Sequence, residues 1–82
     1  MSTHNEEHFE WRKRHEAANR VLQRANADFM NAMGAVQEEL RRGQLGQARI
    51  HVPELRRKRE AQCHAMNAWL AVVEEDAPNL IV

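Results

Sequence analysis

Between Thr3 and Arg42 the chain contains no proline and a single glycine, Gly34. That uninterrupted run constrains the fold more than any other feature. Trp11, Ala18, Leu22, Ala25, Phe29, Ala32, Val36 and Leu40 recur within it at helical steps, which places them on one face of an amphipathic helix. Val21, Met30 and Met33 widen the stripe. Thr3-His4-Asn5-Glu6 fits a capping box at the start, where a hydroxyl and a carboxylate each satisfy a free backbone N–H. Glu6 and Glu7 suit the positive end of the helix dipole, and Arg41 and Arg42 the negative end. Gly43 follows, where a left-handed cap is expected. Gly34 costs about 1 kcal/mol relative to alanine; it reads first as a tolerated glycine and second as room for another backbone to approach.

The expected architecture is all-α, one domain over residues 1–82. Helix 1 spans about 3–42, a connection 43–52, helix 2 about 53–76 and a tail 77–82. Gly43 and Gly46 open the connection and Pro53 suits the first position of helix 2, where its missing N–H costs nothing. Leu55, Cys63, Met66, Trp69, Leu70 and Val73 give helix 2 its apolar face, beside a narrow strip of Ala61, Ala65 and Ala68. Pro78 is expected to end the helix by Ala77, because proline disfavours helical geometry at the residue before it. The tail Pro78-Asn79-Leu80-Ile81-Val82 is expected to cover the open side of the hairpin, or else to serve as an extended peptide added to a partner's sheet or as a degradation signal.

Formal net charge is zero, but it is laid out in blocks. Residues 1–10 carry −3, 11–24 +4, 25–40 −3, 41–59 +6 and 60–82 −4. An antiparallel hairpin with a ten-residue connection sets Arg56–Arg59 beside Glu38 and Glu39, and Glu74, Glu75 and Asp76 near Arg20 and Arg24. Exposed pairs of this kind contribute about 0–1 kcal/mol each, so their value lies in fixing orientation. This register leaves residues 3–17 uncovered, with His4, His8, Trp11 and His15 along one line. Two helices enclose little core at this length. The hairpin is therefore expected to be completed by a second copy, as a homodimeric helical bundle, or by another protein. Phe9, Trp11, Arg12, Arg14, His8 and His15 form the expected partner-binding surface, since aromatic residues and arginine dominate interface hot spots.

No catalytic or cofactor motif stands out. His4-Asn5-Glu6-Glu7-His8 matches H-x-x-E-H formally and resembles the inverted zinc-peptidase pattern. The likeness covers five residues of a chain too short to enclose a peptidase cleft, so no metal and no cofactor are expected. Protonation of His4, His8 and His15 would place positive charge on a helix seam. Cys63 and His64 are neighbours on a helix and point about 100° apart, which does not make a nucleophile–base pair. Neither a secretory signal nor a membrane span is evident. A single cysteine suits a reducing cytoplasm.

The rival expectation is a nucleic-acid-binding regulator. It would use Arg41, Arg42, Arg49, Arg56, Arg57, Lys58 and Arg59, the basic end of the hairpin. Residues 47–57 also loosely resemble a helix-turn-helix, with Pro53 opening the second helix. In size and layout the hairpin is similar to the small hairpin co-chaperones of bacterial type III secretion. It also looks like some helical phage inhibitors, including certain anti-CRISPR proteins. These likenesses rest on architecture and imply a bacterial or phage-infected cell and a non-enzymatic module that blocks or shields a protein partner.

Overall fold

The computed structural model describes the backbone of residues 3–81 and the side chains of residues 9–75. It contains two α-helices, α1 (Thr3–Arg41) and α2 (Leu45–Ile81). They pack as an antiparallel hairpin, as expected for the all-α class. The rod measures 64 × 17 × 15 Å.

The connection is shorter than the sequence suggested. Gly43 has φ = 76°, a left-handed value that costs an L-residue about 1–2 kcal/mol and glycine little. Its N–H bonds the Leu40 carbonyl at 3.0 Å, and the Gln44 N–H bonds the Glu39 carbonyl at 2.8 Å. This pair of bonds is the Schellman closure of a helix C-terminus. The Ala48 N–H then bonds the Gln44 carbonyl at 3.0 Å, so Gln44 accepts the first bond of α2, which starts at Leu45.

Residues 45–52, expected in the connection, are therefore helical, and helix 2 starts at Leu45 instead of Pro53. The cause is burial. Ala48 is the most enclosed of the buried residues at 2% exposure, and Val52 and Leu55 are half-buried. Leu45, Ala48, Val52 and Leu55 stand at steps of three, four and three, a heptad spacing that continues the apolar face backwards through Pro53. Packing along that face opposes the roughly 3 kcal/mol that an interior proline costs. No turn exists between residues 47 and 57, which removes the helix-turn-helix likeness. The helix also runs through Pro78 to Ile81 instead of stopping by Ala77. The tail side chains lie outside the described residues, and nothing among the described ones explains that continuation.

Shortening the connection shifts the register. Trp11 meets Val72, Arg14 meets Glu75, Asn26 meets Gln62 and Glu39 meets His51. Glu75 thus lies one to three turns nearer the chain start than Arg20 and Arg24, its expected neighbours. Glu38 takes Arg41 and Arg42 instead of the Arg56–Arg59 run. Trp11, Arg14 and His15 are covered by α2, so the bare segment expected over residues 3–17 is not present there. The side chains of His4 and His8 lie outside the described residues.

The core is thin. Among the described residues only Leu22, Val36, Ala48 and Ala65 are buried, and no large side chain is fully enclosed. Cys63 is exposed and free. Among the described residues no helix is long and apolar enough to cross a membrane.

Candidate partner-binding surface

Trp11 anchors the open end of the hairpin. Its indole Nε1–H donates to the Val72 carbonyl at 3.1 Å across the two helices. His15, one turn on, stacks on it with ring centroids 5.1 Å apart and an 18° interplanar angle. His15 also meets Trp69 at 5.9 Å and 48°. Aromatic contacts of this geometry contribute about 0.5–1.5 kcal/mol beyond area burial. Arg14 donates to Glu75 at 3.3 Å, with both side chains about half exposed.

This cluster absorbs three of the residues expected to bind a partner. Trp11, Arg14 and His15 hold α1 to α2 within the chain. Phe9 stays 60% exposed, with the Lys13 ammonium 5.5 Å from its ring centroid, and Arg12 is exposed. The side chain of His8 lies outside the described residues. A short loop was the missing information: moving α2 back by a turn or two brings Val72 and Glu75 to residues that otherwise have no neighbour.

The basic set behaves similarly. Arg41 and Arg42 are held by the carboxylate of Glu38. Arg57 lies 3.8 Å from Glu54 on the same helix. Arg49, Arg56 and Arg59 are exposed, and no ion pair engages them among the described residues. Consecutive positions 56 to 59 are separated by about 100° around the helix, so they ring α2 and do not form one basic stripe. Lys58 is the member turned toward α1.

One face of the hairpin carries a groove that the sequence alone does not reveal. Toward the turn it is lined by Asp28, Asn31, Ala32, Ala35, His51 and Lys58, with a volume of about 360 Å³. Next to it a second hollow of about 420 Å³ is lined by Val21, Arg24, Ala25, Arg57, Lys58 and Ala61. Asp28 and Lys58 belong to both. Alanines of α1, with Ala61 of α2, leave the space, and charged residues of both signs rim it. On α1 the lining residues Val21, Ala25, Asp28, Ala32 and Ala35 repeat at steps of four and three. Ala25 and Ala32 belong to the apolar stripe read from the sequence, and Asp28 and Ala35 extend it sideways into a wall that is recognisable only once the facing helix is placed.

Chemistry is sparse. Among the described residues no three His, Cys, Asp or Glu side chains are placed to hold a metal ion. The groove has no nucleophile set beside a base. No protein-family model, curated protein or solved structure matches the chain.

Proposed function

We propose that this protein is a non-enzymatic binding module that works by docking its helical surface on a protein partner and shielding or blocking it. The observation that carries the reading is unfinished burial. A compact monomer of this mass would expose about 5,100 Å², whereas this chain exposes 6561 Å². The excess, about 1,400 Å², is more than the roughly 800 Å² that one partner contributes to a standard interface. Val21, Met30, Leu40, Leu45 and Ile50 are all at least about half exposed, and they supply apolar area for such a contact. A free exposed thiol at Cys63 fits a reducing compartment, and we assign the module to the cytoplasm of a bacterial or phage-infected cell.

The test is affinity capture of the tagged chain from its native cell, comparing wild type with Val21→Glu and with Met30→Glu. A stoichiometric protein complex that one of these substitutions abolishes, with helicity unchanged, supports the reading. A chain that captures no protein and stays monomeric at high concentration overturns it.

A second reading, nucleic-acid binding, draws on Arg49, Arg56 and Arg59, which lie toward the turn and are exposed. It predicts an affinity that falls steeply with salt, in proportion to the number of phosphates contacted. A flat salt response would eliminate it.

A further inference from the structure

We infer that the groove between α1 and α2 receives a second copy of this chain, running antiparallel to the first about a two-fold axis near the middle of the rod. The inference rests on the proposed function and names the partner. The hairpin is electrically polarised although its net charge is zero. Residues 22–65, the half that holds the turn, contain eight Arg or Lys and five Asp or Glu. The other half, which holds both chain ends, contains four Arg or Lys and seven Asp or Glu. By sequence count one half is therefore basic by three charges and the other acidic by three, the latter through Glu6, Glu7 and Asp76, whose side chains lie outside the described residues.

Two copies side by side with their turns together would set like charge against like. Turned end for end, each basic half lies on an acidic half, and a two-fold operation satisfies both contacts at once. Charge complementarity of this kind selects orientation and suppresses the wrong one.

The groove supplies the seat. It occupies the basic half, between residues 21 and 35 of α1 and 51 and 61 of α2. Ala25, Ala32 and Ala35 on the α1 wall permit close approach, and Val21, 59% exposed, stands on its lip. With the axis near the helix midpoints, Arg57 and Lys58 come to the level of the partner's Glu74 and Glu75. Asp28 comes to the level of the partner's Glu16, with the partner's Arg12 and the partner's Arg20 one turn to either side. The surplus area of the single hairpin is sufficient for a dimer interface of ordinary size.

Double electron–electron resonance tests the geometry directly. The full chain would carry one spin label at Gln44→Cys, in a Cys63→Ser background. An antiparallel dimer places the two turns near opposite ends of a 64 Å rod, so a distance on the order of 60 Å is expected. A distance below about 30 Å means the turns lie together, and it overturns the inference. Sedimentation equilibrium gives the second readout. The dimer dissociation constant is expected to rise about tenfold between about 0.05 M and about 0.5 M salt. Val21→Glu is expected to yield a monomer of unchanged helicity, and a variant that still dimerises overturns the assignment to this groove. A wild-type chain that is monomeric throughout, yet still captures a foreign protein, sinks the second-copy inference and leaves the proposed function standing.

Discussion

Two tryptophans of the same cluster have opposite hydrogen-bond status, and this separates what each contributes. Trp11 donates its indole N–H across the hairpin to Val72. The indole N–H of Trp69 is buried with no hydrogen-bond partner. A satisfied bond contributes about 0.5–1.5 kcal/mol, while an unsatisfied buried donor costs about 1–3 kcal/mol. Trp11→Phe is therefore expected to lower unfolding free energy by about 1 kcal/mol in urea titration. Trp69→Phe is expected to leave it unchanged or raise it, because the substitution removes a donor that has nothing to donate to. Equal losses in the two variants would mean that ring packing alone accounts for the cluster. From sequence, both tryptophans are recognisable as apolar-face residues. Which of them makes a hydrogen bond depends on a backbone carbonyl 61 positions away, and no local pattern specifies that.

At the scale of the elements, each helix depends on one or two backbone positions. Gly43 holds a left-handed conformation, while a methyl group added there would meet nothing within 4 Å. Gly43→Ala is thus expected to cost about 1–2 kcal/mol through backbone strain alone. Gly34 lies inside α1, also with open space around it, so Gly34→Ala is expected to stabilise by up to about 1 kcal/mol. Thermal unfolding followed by circular dichroism would show the two glycines moving the midpoint in opposite directions. Pro53 is the third such position. Replacing it with alanine restores an N–H able to bond the Arg49 carbonyl, and Pro53→Ala is expected to raise stability by about 1–3 kcal/mol. A loss of stability there would mean that α2 needs the proline to break or bend it. Gln62 and Asn26, bonded at 2.8 Å within the hairpin, add a polar pair that opposes register slip.

Over the whole molecule, shape is the dominant fact. The radius of gyration is 18.4 Å, against about 12 Å for a compact globule of this length. Small-angle scattering of the Val21→Glu variant is expected to return a value near 18.4 Å, the signature of an isolated rod. A value near 12 Å would indicate that the hairpin folds back on itself and has no unfinished face. An elongated two-helix rod has little interior, so most of its described side chains lie at its surface. The charge polarity counted along the sequence, basic toward the turn and acidic toward the chain ends, is carried by α2, whose residues 45–65 sum to +3 and 66–81 to −3, while both halves of α1 are near neutral.

The sequence by itself determined the fold class, the reach of α1 and the site of the turn. These depend on apolar periodicity, end charges and a glycine able to take positive φ, all local along the chain. Tertiary structure decided where α2 begins, and with it the register. Pro53 reads locally as a helix start, and only the burial of Ala48 and Val52 against α1 carries the helix back to Leu45. That change moved Val72 and Glu75 onto Trp11 and Arg14, turning an expected binding arm into an internal contact. It also set Asp28 across from Lys58 and so formed the groove. A register is a relation between two segments, and its energy lies in contacts that neither segment encodes alone.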